Sequence, residues 1–362
     1  MHVAMIGTRG VPAQYGGFET AVEEIGSRMA ADGHRVTVYC RNPDQTLEEH
    51  LGMTLVNLPA LRKRSLETLS HSGLSVAHAA RHRPDAAVLF NAGNAPFIPL
   101  LKARRIPTAV HVDGLEWKRA KWQGAGARYY RWAERYAASS GLALIADAQG
   151  IADHLRETYG VDSHVIPYGA PIMDPGADRL GELALSPGAY HLVVARLEPE
   201  NHVDVIVRGY AAAGSPHPLV VVGSAPYGDD HIADIRGAAG ESDARFVGAV
   251  WDQDLLNQLY ANSLSYLHGH SVGGTNPSLL RALGCAAPVT AYDVNFNREV
   301  TAGHARFFSD PATVAAEIRG DDADPEGARK RGALGQQHAA ATYRWDDVAE
   351  RYLRMLTEIA GR

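Results

Sequence analysis

The sequence predicts an α/β protein built from two doubly wound, parallel-sheet domains. Short apolar strands alternate with amphipathic helices through the first half of the chain, and a second series of the same kind begins at Tyr190. Such alternation is typical of parallel sheets that carry helices on both faces. Residues 164–188, between the two series, are rich in proline and glycine and predict an interdomain linker. We therefore expect two Rossmann-like halves that face a central cleft.

Runs of apolar and β-branched residues predict the individual strands. In the first half they lie at residues 2–6, 35–40, 54–58, 86–90, 107–112 and 142–146, with a helix over 18–32. In the second half they lie at 190–195, 218–223, 244–248, 263–267 and 288–291. These series predict an N-terminal domain over residues 1–170 and a C-terminal domain over 186–343. The final segment, 344–362, contains an amphipathic helix that we expect to pack back on the first domain.

One stretch of the second half, HGHSVGGTNPSLLRALGC (268–285), leads from a buried strand into an apolar helix. Asn276 suits the N-cap, and Pro277 suits the first helical position because its missing N–H would be unpaired there. Gly273 and Gly274 let the backbone come close to a ligand. Free amides at the positive end of a helix dipole bind phosphate, although many glycine turns before helices only redirect the chain.

A second glycine-rich loop, GTRGVPAQYGGFET (7–20), follows the first strand. It is neither a G-x-G-x-x-G nor a Walker loop, which weakens dehydrogenase and kinase interpretations. Gly16 and Gly17 still offer amides to an anion, unless they form only a glycine-rich connection. Past a later strand end lie His111, Asp113 and Glu116, where ligands of such sheets gather.

Other strand ends in the second half suit a nucleotide diphosphate. Arg196 follows the first strand, and a guanidinium there can bind a diphosphate through two parallel hydrogen bonds. Gly223 ends the second strand, and Gly248-Ala249-Val250 end the third, where small residues admit a flat base. His268 and His270 with the nearby carboxylates form no recognisable metal-ligand set, so we expect no metal and no cofactor.

Composition and charge limit the partners. The net charge of −6 argues against a general nucleic-acid binder. The two cysteines, Cys40 and Cys285, lie far apart and predict reduced thiols in a cytoplasmic protein. Trp117–Tyr136 interleave aromatic and basic residues, which on a helix favours contact with an anionic membrane surface. The alternative is that the aromatic rings pack inward and the cations are simply solvated.

Three features together carry a family resemblance. Arg196 after a strand, Val247-Gly248-Ala249-Val250 and the glycine turn before an apolar helix resemble the donor half of GT-B glycosyltransferases of family 4. More specifically, GTRGVPAQYGGFET, ARLEPEN and HGHSVGGTNPSLL resemble bacterial rhamnosyltransferases of capsule and exopolysaccharide clusters. The resemblance covers nearly the whole chain. It implies a GT-B fold with an acceptor domain first and a nucleotide-sugar donor domain second.

The resemblance also implies roles for individual positions. His111 would lie near the donor sugar, Arg196 would bind the diphosphate, and Asn201 stands where the family usually has a lysine. We expect diphosphate contacts from Gly16, Gly17, Arg196, Asn201, Gly273, Gly274, Thr275, Asn276 and Ser278. Nucleoside contacts fall on Gly223, Val250 and Arg281, and sugar or acceptor contacts fall on Asp113, Glu116 and His270. His111, Arg196 and Asn201 are the candidate catalytic residues.

Two positions depart from the family pattern. Family 4 enzymes usually carry two glutamates eight residues apart, and these positions fall on Gly273 and Arg281 here. The glycine resembles the rhamnosyltransferase branch, whereas the arginine does not. A carboxylate accepts hydrogen bonds from both ribose hydroxyls, but a guanidinium has no acceptor. We therefore expect Arg281 to weaken the donor site, to redirect it to a donor with an extra anion, or to mark a partner-dependent or inactive copy.

The resemblance implies a retaining, metal-independent hexosyltransferase. Its donor would be a nucleotide diphosphate sugar such as deoxythymidine diphosphate rhamnose, and its acceptor a saccharide or lipid-linked saccharide. We expect a cytoplasmic protein, peripheral at the inner membrane face, with no nucleic-acid partner. Two alternatives stay open: tailoring of a soluble natural product, and non-catalytic nucleotide-sugar binding. A two-domain epimerase is disfavoured because no carboxylate pair with a matching histidine is found.

Overall fold

The computed structural model describes residues 1–13, 16–41, 45–61, 66–112, 114–119, 122, 124–224 and 229–361. The chain forms two compact units. The first contains Met1–Tyr168 together with Trp345–Arg362, and the second contains Gly169–Arg344.

The first unit is built on an eight-stranded sheet of order β3-β4-β2-β1-β5-β6-β7-β8. The strands are β1 (His2–Ile6), β2 (Arg35–Cys40), β3 (Glu49–His50), β4 (Met53–Asn57), β5 (Ala86–Phe90), β6 (Thr108–Val112), β7 (Ala143–Ala146) and β8 (His164–Val165). Every pair is parallel except β3 with β4. The chain winds outward from β1 in both directions, so the topological switch point lies between β1 and β5.

Helices of the first unit follow the periodic apolar positions. They are α1 (Gly17–Ala31), α2 (Glu67–His82), α3 (Ile98–Ala103), α4 (Ala125–Ser139) and α5 (Gln149–Tyr159), with 3-10 turns at Ala92–Phe97 and Glu116–Lys118. In α1 the buried side chains Ala21, Val22, Ile25 and Met29 recur at helical spacing and face the sheet. Within Trp117–Tyr136, where aromatic and basic residues interleave, the described residues include the end of the second 3-10 turn and most of α4.

The second unit contains a six-stranded, all-parallel sheet of order β11-β10-β9-β12-β13-β14. Its strands are β9 (His191–Val194), β10 (Leu219–Val222), β11 (Ala244–Gly248), β12 (Ser265–His268), β13 (Val289–Tyr292) and β14 (Arg306–Phe308). Its helices are α6 (Val203–Ala213), α7 (Asp229–Ala239), α8 (Gln253–Ala261), α9 (Pro277–Gly284), α10 (Asn295–Thr301), α11 (Pro311–Ala323) and α12 (Pro325–Thr342), with 3-10 turns at Leu180–Leu183 and Pro199–Asn201. The switch point lies between β9 and β12. The predicted doubly wound α/β class is confirmed in both halves.

The last helix, α13 (Trp345–Ala360), belongs to the first unit. It packs on α1 and also touches β5 and β6. Val348, Tyr352 and Leu356 are buried on its inner face, and Arg28 Nε donates to Asp346 Oδ1 at 2.8 Å. The spacing of these apolar residues explains why one face of α13 turns to the core.

The segment predicted as a linker, residues 164–188, is packed rather than free. Its start forms β8 in the first sheet, and the rest lies on the second unit, which begins at Gly169 and not near residue 186. Leu180 is buried, and the amide of Met173 donates to Gly284 O at 3.0 Å. A high content of proline and glycine indicates an irregular backbone. An irregular segment can still pack against the rest of the protein, as this one does.

Candidate functional site

The candidate site of the second unit lies at the carboxyl ends of its parallel strands. β9 and β12 are neighbours at the switch point, where open α/β sheets form a crevice for ligands. Arg196 follows β9, and the turn formed by Gly273 to Asn276 follows β12. The sheet therefore brings the predicted guanidinium and the predicted glycine turn to the same edge.

Hydrogen bonds join the loops that follow these two strands. Asn201 Nδ2 donates to Arg196 O at 2.7 Å, and Asn201 Oδ1 lies 2.7 Å from Nδ1 of His270. Ser271 N donates to Glu200 O at 3.0 Å. Asn201 is only 6% exposed, so its side chain acts as a link between the loops. Its contact with a diphosphate stays a prediction.

The guanidinium of Arg196 is weakly held by its described neighbours. Its Nη1 lies 3.5 Å from Glu198 Oε1, a distance at the weak end of hydrogen bonding. About a third of its side chain is exposed. Most of its N–H donors are thus available to an anion at the carboxyl edge of the sheet.

The glycine turn leads into α9 with the predicted cap. Asn276 is the N-cap, and its side-chain oxygen accepts from Ser278 N at 2.9 Å, so the predicted capping is confirmed. The amide of Ser278 is therefore already used. The amides of Gly273, Gly274 and Asn276 donate to no group within the described part of the chain. Thr275, between them, is buried.

Gly223 and Arg281 are two of the residues predicted to contact the nucleoside of the donor. Gly223 has φ +152°, and a Cβ there would lie 1.8 Å from Ala195 O, so only glycine fits between the loops. Arg281 lies on α9, and its Nη1 donates to Gln253 Oε1 at 2.7 Å. Gln253 Nε2 in turn donates to Trp251 O at 2.9 Å, next to the partly buried Val250. Sequence reasoning missed Gln253 and Trp251, which have no distinctive spacing.

Gly16 and Gly17 lie at the start of α1, as predicted. Gly16 is its N-cap with φ +116°, and a Cβ there would lie 2.1 Å from Glu19 Oε2. Glu19 Oε1 accepts from Arg9 N at 2.8 Å. The Glu19 carboxylate therefore lies close to Gly16, one of the two glycines whose amides are predicted to bind phosphate. Sequence reasoning missed Glu19, although an acid three residues after an N-cap is a known signal. Gln14 and Tyr15 of this loop lie outside the described residues.

His111 is fully buried in β6. Its Nδ1 lies 3.0 Å from the hydroxyl of Tyr352, and its ring packs against Phe18 and Phe90. Burial lowers its pKa to about 3, so the ring stays neutral. Its Nε2 has no hydrogen-bond partner in the described ranges. Tyr352 was missed because it lies 241 residues away.

The remaining predicted polar residues fall in different places. Glu116 is buried in the first unit, where it pairs with Arg119 Nε at 2.9 Å and accepts from Trp122 Nε1 at 3.1 Å. His270 lies in the second unit, held by Asn201. Asp113 lies outside the described residues, so its predicted role stays a prediction.

In Trp117–Tyr136 some aromatic rings pack inward, and one face of α4 is exposed and basic; contact with a membrane stays a prediction. Arg131 Cζ stacks 4.6 Å from the Trp117 ring centroid, and Tyr129 donates to Gly93 O at 2.5 Å. The exposed face of α4 carries Arg128, Arg131, Trp132 and Arg135 at helical spacing. Residues 120, 121 and 123 lie outside the described ranges.

Three further observations concern metals, membranes and thiols. The described residues contain no group of three metal-ligating side chains. No described helix is both long enough and apolar enough to cross a bilayer. Cys40 and Cys285 are free and buried, and burial raises the pKa of Cys285 to about 12.

A family model matches most of the N-terminal part of the chain, and a related protein matches the whole chain. Residues 16–169 match the model of the Glycosyl transferase 4-like domain. Alpha-maltose-1-phosphate synthase of Mycolicibacterium smegmatis is 24% identical over 403 residues, with 100% of both chains covered.

Solved structures resemble the whole chain. Sucrose-phosphate synthase from Thermosynechococcus elongatus has a TM-score of 0.84 at 19% identity, covering 99% of this chain and 98% of that one. Anabaena HepE, solved with UDP-glucose, has a TM-score of 0.79 at 16% identity, covering 99% and 100%. WaaG, a glycosyltransferase involved in lipopolysaccharide biosynthesis, has 0.73 at 17%, also covering 99% and 100%. The fold is therefore GT-B, and the matched domain and relatives support enzymatic glycosyl transfer.

Proposed function

We propose that this chain is a retaining glycosyltransferase of the family 4 type that moves a hexose from a nucleotide diphosphate donor to a saccharide acceptor. The observation that carries the proposal is that the Arg196 guanidinium and the open amides of Gly273 and Gly274 follow the neighbouring strands β9 and β12 at one switch point. Cationic and backbone donors at a strand edge suit a diphosphate leaving group.

The protein would act chiefly by electrostatic stabilisation. As the bond from the sugar carbon to the terminal phosphate breaks, negative charge grows on the phosphate oxygens. Arg196 and the turn amides stabilise that charge, and the departing phosphate takes the proton of the acceptor hydroxyl that attacks on the same face. Orienting donor and acceptor supplies a further several kcal/mol. This scheme needs neither a metal nor a protein nucleophile.

Replacing Arg196 tests the proposed diphosphate contact. Arg196→Ala should lower turnover of a labelled nucleotide sugar by about a hundredfold or more while leaving the urea midpoint near the wild-type value. Arg245→Ala is the matched control, because Arg245 pairs with Asp243 near the opposite end of β11 and should keep full activity. An unchanged rate in Arg196→Ala would refute the proposed role.

The donor is proposed to be a deoxyhexose nucleotide, such as deoxythymidine diphosphate rhamnose, used in polysaccharide or glycoconjugate synthesis. The motif strings around the two glycine loops support this choice. Anabaena HepE was solved with UDP-glucose, which makes that nucleotide sugar the rival donor. A panel of labelled donors with several saccharide acceptors separates the two, and the preferred donor is the one with the larger kcat/KM.

Arg281 supports a second candidate, a nucleotide-sugar binder without turnover. Its guanidinium is held by the neutral amide of Gln253, and the described residues offer it no acidic partner. Donor binding without hydrolysis or transfer, across all acceptors, would favour this candidate. Arg281→Glu should raise donor affinity if the ribose hydroxyls lack an acceptor, and a further loss would refute that explanation.

We propose that α4 forms a peripheral contact at the inner face of the cytoplasmic membrane, which suits a lipid-linked acceptor. Its exposed face, Arg128, Arg131, Trp132 and Arg135, has no ion-pair partner in the described ranges. The protein should co-sediment with vesicles that contain anionic lipid at low salt and should stay in the supernatant at high salt. Reversing all three arginines to glutamate should abolish binding, whereas Arg354→Glu on α13 should not. Failure to bind at low salt would favour a soluble acceptor.

A further inference from the structure

His268 is a buried histidine with an unused ring nitrogen at the switch point. It ends β12, and only 3% of its surface is exposed. Its Nδ1 lies 3.0 Å from the hydroxyl of Tyr266, whereas its Nε2 has no hydrogen-bond partner among the described residues. Burying a polar atom without a partner costs free energy, so such an atom calls for an explanation, for instance a ligand or a catalytic role.

Tyr266 determines which ring nitrogen carries the proton. Burial lowers the pKa of His268 to about 3, so the ring is neutral and has a single N–H. Burial also raises the pKa of Tyr266 well above its ordinary value, so the phenol keeps its proton. An imidazole nitrogen accepts a hydrogen bond better than a phenol oxygen does. The Tyr266 hydroxyl also hydrogen-bonds Tyr260. With Tyr266 as the donor to Nδ1, the single N–H of His268 lies on Nε2.

The free N–H is directed away from Tyr266. Nε2 lies on the ring edge opposite Nδ1, and Tyr266 precedes His268 on the same face of β12. The ring of His270 follows at a centroid distance of 6.3 Å, and a Cβ on Gly273 would lie 3.4 Å from Nε2 of His270. His270 therefore lies between His268 and the turn with open amides, beyond the carboxyl end of β12.

We propose that His268 is a further diphosphate-binding residue, whose Nε2–H donates to an oxygen of the terminal phosphate, and that Tyr266 is the residue that positions it. This inference rests on the proposed function, because it concerns the same donor. A neutral N–H stabilises the negative charge that grows on the leaving phosphate and gives up no proton of its own.

Calorimetric titration of the full chain with UDP, dTDP and the matching monophosphates tests the inference. His268→Leu should bind the diphosphates about ten- to a hundredfold more weakly and the monophosphates within about twofold, because only the terminal phosphate loses a hydrogen bond. His268→Gln, whose amide nitrogen reaches the position of Nε2, should recover most of the diphosphate affinity.

Two outcomes of this titration separate the inference from the proposed function. Equal diphosphate affinity in His268→Leu and the wild type overturns the inference and leaves the proposed function standing. A wild-type protein that binds neither nucleoside diphosphates nor nucleotide sugars removes the proposed function, and the inference with it.

Stability and tautomer measurements distinguish a ligand contact from a packing role. His268→Leu should leave the thermal midpoint near the wild-type value, because the gain from removing the unpaired Nε2 offsets the loss of the acceptor of the Tyr266 hydroxyl. A lowered midpoint, with equal losses of monophosphate and diphosphate affinity, would show a packing role and overturn the inference. In Tyr266→Phe, the ¹⁵N shifts of His268 should show loss of the pure Nε2–H tautomer together with weaker diphosphate binding. Unchanged shifts and affinity would refute the positioning role of Tyr266.

Discussion

Gly223 and Gly269 show how closely the strand-end loops of the second unit approach each other. A Cβ on Gly223 would lie 1.8 Å from Ala195 O, and one on Gly269 would lie 1.9 Å from Asn201 O. Both contacts involve backbone atoms, which cannot rotate away as a side chain can. The loops that carry Arg196 and His270 therefore depend on the absence of two side chains.

Replacing Gly269 with alanine should disturb this packing. Gly269→Ala should lower the free energy of unfolding by about 2–4 kcal/mol and weaken nucleotide diphosphate binding, because the Arg196 loop must move. Gly237→Ala in α7 is the matched control, since a Cβ there meets nothing within 4 Å. The control should be neutral or stabilising by up to about 1 kcal/mol. Urea unfolding measures both, and equal midpoints would contradict the packing argument.

Glu19 gives a prediction for the first glycine loop. Its carboxylate accepts from Arg9 N, at the amides expected to meet the donor phosphates. Glu19→Gln should raise nucleotide diphosphate affinity about two- to fivefold at low salt, because it removes a competing negative charge. Glu24→Gln, on the same helix but paired with Arg28, should leave affinity unchanged. Weaker binding in Glu19→Gln would show that the carboxylate serves to hold the loop.

At the scale of elements, α13 reaches the interior of the first sheet. It follows the whole second unit in the chain but contacts α1, β5 and β6 of the first. Its Tyr352 is the described partner of His111 Nδ1, and both residues are buried. The helix therefore pairs one ring nitrogen of a candidate catalytic residue and also contributes to the apolar core.

Tyr352→Phe tests that contribution. The change removes one hydroxyl and leaves Nδ1 of His111 unpaired, so the free energy of unfolding should fall by about 1–3 kcal/mol. Arg354→Ala on the same helix breaks an exposed pair with Glu350 and should cost less than about 1 kcal/mol. Chemical denaturation followed by circular dichroism provides the comparison. A Tyr352→Phe protein as stable as the wild type would indicate that His111 finds another partner.

At the scale of the whole molecule, two neutral histidines make folding sensitive to acid. Burial lowers the pKa of His111 and of His268 to about 3, one in each unit. An unfolded histidine takes up a proton below about pH 6.5, whereas these folded ones stay neutral. The unfolded state therefore binds more protons between about pH 6.5 and 3, and stability falls as pH falls through that window.

The share of His268 in this acid sensitivity can be measured separately. At pH values below about 5.5, His268→Leu should reduce the pH dependence of the unfolding free energy by about 1.4 kcal/mol per pH unit. Urea titrations from pH 8 to 4.5 measure this dependence. Above pH 7 the two proteins should have parallel curves, which serves as the internal control. Parallel curves throughout would mean that His268 is protonated in the folded state as readily as in the unfolded one.

Local signals explain what could be predicted from the sequence. Apolar runs predicted β2 and β5 at their observed bounds, and the Asn276–Pro277 pair predicted the start of α9. The alternation of such elements also predicted the doubly wound class. Each of these signals depends on residues within a few positions of one another, so composition and spacing suffice.

The tertiary structure alone decided which polar groups meet and which remain open. It packed residues 169–188 on the second unit, used Asn201 to link two loops, and brought Tyr352 to His111 across 241 positions. It also left Nε2 of His268 buried without a partner in the described ranges. Such contacts depend on how distant segments fold against each other, and no local pattern records that geometry.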